Sequence, residues 1–151
     1  LSGANSLVDA VLGGWTTSWI YVYYAGERLR FGQMRVVGDP KIDNPDKWGL
    51  MFNPAAFQFL PNANFEVREN PKSYPGVQGP GTKNLDLTLA KFFQLNERFR
   101  VEFRMEAYNT TNTFNGANPN TSVTSAQFGR VTTQRSGTLG RELQYNIRLH
   151  F

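Results

Sequence analysis

Leu143-Gln-Tyr145-Asn-Ile147-Arg-Leu149-His-Phe151 is the stretch of the sequence that decides the fold. Apolar side chains occupy every odd position, polar side chains occupy every even position, and the phenylalanine is the last residue. Side chains point to opposite faces of a β-strand in alternation. The pattern therefore predicts a final strand with one apolar face and one polar face.

A second segment, residues 98–108, repeats this alternation with a continuous charged face. Phe99, Val101, Phe103, Met105 and Ala107 alternate with arginine, glutamate and tyrosine side chains. A soluble antiparallel sheet also shows apolar and polar faces in alternation. These two strands alone therefore do not distinguish a soluble sheet from a membrane sheet.

The order of short and long connections favours a membrane barrel. We predict strands at 15–24, 84–93, 98–108 and 141–151, with a short turn between the second and third and long connections at 25–83 and 109–140. Antiparallel strands alternate direction, so the two long loops share one side, as the extracellular loops of outer-membrane barrels do. Compact soluble domains rarely contain structureless loops beyond about 12–15 residues. We expect residues 1–151 to be all-β and to form the C-terminal part of a single antiparallel transmembrane β-barrel domain.

Composition excludes several other classes of protein. No apolar run approaches the ~18 residues of a transmembrane helix. The chain has no cysteine and one histidine, His150, so we expect no metal site, no cofactor, no catalytic residues and no enzymatic activity. The net charge of +4 comes from basic residues that are spread along the chain, which does not favour nucleic-acid binding.

Four strands are too few to close a barrel, because single-chain outer-membrane barrels have at least eight. An open sheet edge in lipid would leave backbone groups unpaired. We therefore expect the chain to be a fragment and the remaining barrel strands to be its partners.

The alternation also predicts which side chains face lipid and which face the barrel lumen. Lys91 interrupts the apolar face, and we expect its ammonium to reach the headgroup layer. A three-residue turn at Gln94–Asn96 would place Asp86 opposite Arg104. The predicted lumen-facing residues are Asp86, Arg100, Glu102, Arg104, Glu106 and Arg148, and the predicted lipid-facing residues are Leu85, Leu87, Leu89, Phe93, Phe99, Val101, Phe103, Met105, Leu143, Tyr145, Ile147 and Leu149.

The first long loop combines turn residues with large apolar side chains. Pro and Gly turn signals such as Asn53-Pro54 and Tyr74-Pro75-Gly76 recur along it. The apolar residues between the turns are too many for a disordered linker. We expect the loop to fold on itself, with a short helix or turn within residues 48–57 that packs its aromatic side chains inward.

The sequence resembles the closing region of TonB-dependent outer-membrane receptors, in particular their Oar-like branch with a carboxypeptidase-regulatory-like N-terminal domain. The resemblance rests most strongly on two consecutive segments, residues 79–93 and 98–109. It is supported by Gly13-Gly14-Trp15, Val37-Gly38-Asp39-Pro40, Trp48, Phe52-Asn53-Pro54-Ala55-Ala56-Phe57, Phe114-Asn115, Asn118-Pro119-Asn120 and Phe128-Gly129-Arg130.

The resemblance implies the last four strands of a 22-stranded barrel with an N-terminal plug and a TonB box outside this sequence. Its implied partners are the plug, lipid and lipopolysaccharide, the barrel-assembly machinery and the TonB complex. Tyr145, Ile147, Leu149 and Phe151 resemble the C-terminal signal that the assembly machinery reads. Two alternatives stay open, namely a structural or adhesin-like outer-membrane barrel and a soluble β-sandwich binding module.

Overall fold

The computed structural model describes residues 11–45, 49–61 and 67–151 of the chain. Trp48 of the family resemblance lies outside these residues. The described part contains β1 (Trp15–Tyr24), β2 (Arg35–Val36), a 3-10 helix (Pro54–Ala56), β3 (Phe57–Gln58), β4 (Thr82–Gln94), β5 (Arg100–Tyr108) and β6 (Glu142–His150). A search of these residues finds no helix long and apolar enough to cross a membrane.

The four long strands form one sheet in the order β1-β4-β5-β6. Pairing is antiparallel between β4 and β5 and between β5 and β6. Each of the four strands lies where the sequence predicts one, with ends that differ from the predicted ends by two residues at most. β1 and β6 are the two edges, so the sheet is open within the described part of the chain.

The register of β4 and β5 differs from the predicted one. Leu87 pairs with Ala107 and Gln94 pairs with Arg100, so Arg104 lies opposite Ala90 and the predicted pairing of Asp86 with Arg104 is wrong. The prediction of which side chains share a face is nevertheless correct, because the register is shifted by an even number of residues.

Turn chemistry explains the shift. The backbone N–H of Leu95 donates to Phe99 O at 3.0 Å, which closes a turn two residues later than predicted. Asn96 Oδ1 accepts from the backbone N–H groups of Arg98 and Phe99, both at 2.9 Å. An asparagine side chain that accepts from following backbone N–H groups is a standard turn signal.

The chain divides into two compact units. The sheet unit comprises Lys83–Thr113, Leu139–Phe151 and the described residues up to Val22. The loop unit comprises Tyr23–Thr82, within its described part, and Phe114–Thr138.

The loop unit has its own aromatic core. Phe52 is fully buried, and its ring centroid lies 5.0 Å from those of Phe31 and Phe128. Phe57 stacks on Phe31 at 5.0 Å. The expected inward packing within residues 48–57 is therefore confirmed for Phe52 and Phe57, and a 3-10 helix lies within this stretch.

The side chains of Asn70 and Arg68 hold the backbone of this core in place. Asn70 is 5% exposed, and its Oδ1 accepts from the backbone N–H of Met34 at 3.2 Å. Its Nδ2 donates to Gly32 O at 3.0 Å, and the Arg68 guanidinium donates to Phe31 O at 2.7 Å. These side chains satisfy backbone groups of residues 31–34, which belong to no strand.

Candidate functional site

The candidate site is the polar face of the sheet unit, formed by the even-numbered residues of β4, β5 and β6. The registers place Thr88, Glu106 and Gln144 in one row across the strands. Phe92, Glu102 and Arg148 form another row. Because side chains at alternate strand positions share a face, the predicted lumen-facing residues all belong to this surface.

Three charged side chains form a ladder along β5. The Arg104 guanidinium lies 3.1 Å from Glu102 Oε1 and 3.6 Å from Glu106 Oε1. Tyr108 donates its hydroxyl to Glu106 Oε2 at 3.0 Å. The spacing of two residues brings these groups side by side, and the carboxylates orient the guanidinium from both directions.

The ladder continues onto the last strand through histidine. His150 Nε2 lies 3.2 Å from Glu102 Oε2, so Glu102 contacts Arg104 with one oxygen and His150 with the other. The Glu102 side chain is 6% exposed, whereas that of Arg104 is 45% exposed. The carboxylate is thus covered and the guanidinium remains accessible.

Aromatic contacts border the ladder at the end of the sheet that carries the short turn. Arg100 lies over the Phe92 ring at 5.2 Å, and the Phe92 ring centroid lies 5.9 Å from that of His150. Cations favour the face of an aromatic ring. Phe92 is not among the lumen-facing residues predicted from the sequence. Alternation of apolar and polar residues does not reveal an aromatic side chain on a polar face.

Asp86 serves a different purpose from the one the sequence suggested. Its Oδ1 accepts from the backbone N–H of Asn109 at 2.9 Å and from the Asn84 side chain at 2.9 Å. Asn109 has a positive φ of 47° at the end of β5. Asp86 therefore holds the backbone turn that follows β5. The charge ladder on β5 is formed by Glu102, Arg104 and Glu106.

The opposite face of the sheet is apolar and open on its last strand. Ile147 is 75% exposed and Phe151 is 95% exposed. The predicted assembly residues Tyr145 and Leu149 are exposed as well, and none of the residues predicted to face lipid belongs to the buried core cluster of the described chain. Contact of this face with lipid stays a prediction.

Lys91 departs from its predicted position at the headgroups. It is 4% exposed, and its ammonium donates to Gly13 O at 2.5 Å and to Val11 O at 3.1 Å. The ammonium also lies 5.4 Å from the Trp15 ring centroid. The Lys91 ammonium therefore binds backbone carbonyl groups of the segment before β1 instead of lipid headgroups. These carbonyl groups solvate the cation within an otherwise apolar face.

The geometry of the polar face is suited to recognition of charge. Within residues 11–45, 49–61 and 67–151, no group of three His, Asp or Glu side chains is placed to hold a metal ion. His150 contacts a single carboxylate. What the polar face provides is a row of alternating charges in which Arg100, Arg104 and Arg148 are exposed.

Comparison with known proteins gives one family. A family model described as an outer membrane beta barrel domain matches residues 1–144. No curated protein and no solved structure matches the chain.

Proposed function

The chain belongs to the outer membrane beta barrel domain family and is a component of the bacterial outer membrane, and we propose that it forms the C-terminal wall and outer loops of a TonB-dependent transporter. The proposal extends the family assignment by one step, from barrel to active transport. Residues 79–93 and 98–109 support that step, since they resemble the closing strands of Oar-like receptors.

The observation that carries the proposal is the chemical difference between the two faces of the open sheet. One face bears the Glu102, Arg104 and Glu106 ladder, and the other bears exposed residues such as Ile147. A water-filled or plugged barrel has a polar interior and an apolar exterior. We assign the ladder to the interior, where the half-exposed Arg104 guanidinium would meet the plug or a solute.

The missing strands follow from backbone chemistry. β1 and β6 end the sheet within the described residues. In lipid, unpaired edge groups cost several kcal/mol each. In the proposed transporter, further strands pair with both edges of this sheet, and an N-terminal plug and a TonB box complete the protein. The barrel contacts lipopolysaccharide in the outer leaflet of the membrane. We propose that the chain is a transport component without enzymatic activity.

An adhesin-like or scaffolding barrel is the second candidate, and one observation favours it. The loop unit has a buried core of its own, with Phe31, Phe52 and Phe57 at its centre. A folded loop can be a working surface by itself. The soluble β-sandwich alternative has lost its support, because the matched family belongs to the outer membrane.

Energy coupling separates the two candidates. The full-length gene would be expressed with and without the TonB-box segment, and surface level and uptake of a panel of labelled peptides and oligosaccharides would be measured. We expect deletion of the segment to abolish uptake of at least one solute at an unchanged surface level. Attachment to host or abiotic surfaces that persists after the deletion, without any TonB-dependent uptake, would favour the adhesin.

A further inference from the structure

The segment before β1 is fixed to the apolar face of the sheet unit. Lys91 of β4 pairs with Phe103 of β5, and both side chains lie on this face. The Lys91 ammonium reaches the carbonyl oxygens of Val11 and Gly13. The Trp15 ring meets the Phe103 ring edge to face, with 6.2 Å between centroids. The segment therefore lies on the predicted lipid side, close to the end of the sheet that carries the short turn.

The backbone of this segment explains why a cation binds there. It is helical at residues 11–12 and leaves the helix before Gly14, which has φ +69°. The last carbonyl groups of a helix have no partner within the helix, and a left-handed glycine commonly follows them. The Lys91 ammonium supplies such a partner, and so does the Trp15 Nε1–H, which donates to Val11 O at 2.9 Å.

The side chains of the same segment are apolar and uncovered. Val11 is 61% exposed and Leu12 is 71% exposed, although both belong to a backbone that is bound to the sheet. Trp15, the first residue of β1, is exposed as well. Clustered apolar groups that remain exposed on a fixed backbone mark an interaction surface. The segment therefore presents a surface for a partner from outside the chain.

Lipid is the partner that fits this surface. The chain belongs to an outer-membrane family, and the lipid-facing band of such barrels ends at each membrane surface in a girdle of aromatic residues. Backbone polar groups that face lipid must be paired within the protein, and the carbonyls of Val11 and Gly13 are paired. The Trp15 N–H is paired too. Exposed hydrocarbon with satisfied polar groups is suited to lipid rather than to a protein partner.

We infer that residues 11–15 form a membrane anchor beside the barrel wall, with the Val11 and Leu12 side chains inserted in the phospholipid leaflet at the short-turn end of the sheet. Lys91 is the tether that holds this anchor against the wall. Interfacial segments insert their apolar groups about 5–10 Å into the boundary of headgroups and acyl chains. The inference rests on the outer-membrane family and does not depend on TonB-driven transport.

The test is fluorescence quenching of a bimane label at Leu12→Cys in the full-length protein, with any other cysteine replaced by serine. The protein is placed in nanodiscs of phosphatidylethanolamine and phosphatidylglycerol, which leave both membrane surfaces open to solutes. We expect quenching by lipid with a doxyl group at carbon 5, weaker quenching by lipid with the group at carbon 12, and protection from aqueous iodide. Glu97→Cys is the matched control, because Glu97 is an exposed residue of the short turn. Its label should be quenched by iodide and not by the doxyl lipids.

Substitution of Lys91 tests the tether. Lys91→Met should abolish doxyl quenching at position 12 and open the label to iodide, because the carbonyls lose their cation. Lys91→Arg keeps a cationic donor and should retain the quenching. Lys72→Met, at an exposed position of the loop unit, should leave it unchanged. Heat modifiability on gels shows that each variant is a folded barrel.

The labelled protein with Lys91 intact decides the anchor even where Lys91→Met does not fold. Iodide quenching of the Leu12 label without doxyl quenching would overturn the inference, because the segment would then lie in water. Protection from both quenchers would overturn it as well, since a protein would then cover the segment. Equal doxyl quenching with lysine and methionine at position 91 would overturn the role of the tether. Failure of solute uptake would bear on the proposed transport and would leave these quenching results intact.

Discussion

His150 and Glu102 join the last strand to its neighbour, with Nε2 of the imidazole 3.2 Å from Oε2 of the carboxylate. The register partner of His150 is Arg100, so Glu102 is its diagonal neighbour on the polar face. Diagonal neighbours remain within reach of long side chains. The contact extends the β5 charge ladder to the penultimate residue of the sequence.

This contact predicts an effect of histidine substitution on the sheet. His150→Leu should lower the urea midpoint of unfolding of the refolded full-length protein, because it leaves one Glu102 oxygen without its partner. His150→Gln, which can still donate to the carboxylate, should have a smaller effect. Tryptophan fluorescence provides the measurement, and equal midpoints for the two variants would contradict the role of the hydrogen bond.

The observed register predicts which charged pairs are coupled. Arg104 lies opposite Ala90, away from Asp86, and contacts Glu102 and Glu106. A double-mutant cycle between Asp86 and Arg104 should therefore give a coupling energy of zero within about 0.3–0.5 kcal/mol. The cycle between Glu106 and Arg104 should give a favourable coupling under the same conditions. Coupling confined to Asp86 and Arg104 would restore the register first predicted from the sequence.

Among the residues of the apolar face, we expect substitution of Lys91 to lower the free energy of unfolding most. Lys91→Met removes the donor to Val11 O and Gly13 O, and loss of hydrogen bonds to a charged group costs about 1.5–3 kcal/mol. Lys72→Met, at an exposed position of the loop unit, should change the free energy of unfolding by less than about 0.5 kcal/mol. The comparison is made by urea titration, and a neutral or stabilising Lys91→Met would show that the ammonium contributes nothing there.

Two glycines of the loop unit provide a matched pair for steric strain. Gly129 has φ +83°, and an added Cβ would lie 3.1 Å from Leu50 Cδ2 and 3.1 Å from Pro54 Cγ. Gly137 has φ +79° with nothing within 4 Å of the same position. In both alanine variants, the left-handed backbone conformation should lower the free energy of unfolding by about 1–2 kcal/mol.

Gly129→Ala should be the more destabilising of the two because it also crowds the edge of the aromatic core. Limited proteolysis of the loop unit would report the difference as faster cleavage in Gly129→Ala. Equal cleavage rates would mean that Leu50 and Pro54 move aside without cost.

Deletion of Phe151 distinguishes a role of the terminal residues in barrel assembly from a role as an anchor at the membrane interface. If Tyr145, Ile147, Leu149 and Phe151 are read by strand addition during insertion, deletion of Phe151 should reduce the folded, heat-modifiable protein in the outer membrane. Protease-sensitive material should then accumulate in the periplasm. Anchoring of the ring at the interface predicts unchanged surface levels and only a lower melting temperature.

Alternation in the sequence was sufficient to identify β5 and β6 and to sort their side chains onto two faces. Residues 98–108 and 143–151 each repeat with a period of two, and the strands β5 and β6 lie within one or two residues of the predicted ends. The charged ladder follows directly, since residues two apart on a strand are neighbours on one face. The predicted inward packing of Phe52 and Phe57 was also correct.

The exact neighbours across strands could not be obtained in this way. A pattern of period two is unchanged by a shift of two residues, so hydrophobic alternation cannot choose between registers that keep the same faces together. The side chain of Asn96 makes that choice by accepting from Arg98 and Phe99 in the turn. Asp86 consequently meets the backbone of Asn109 instead of Arg104.

The sequence by itself determined the all-β pattern, the separation of charged from apolar faces and the folded character of the first long loop. Only the tertiary structure placed Phe128 of the second loop against Phe52 and the carbonyl of Gly13 beside Lys91. The physical reason is that periodicity is a local property of a strand. Contacts between residues far apart in sequence depend on how the chain closes its loops, and that closure leaves no periodic signal.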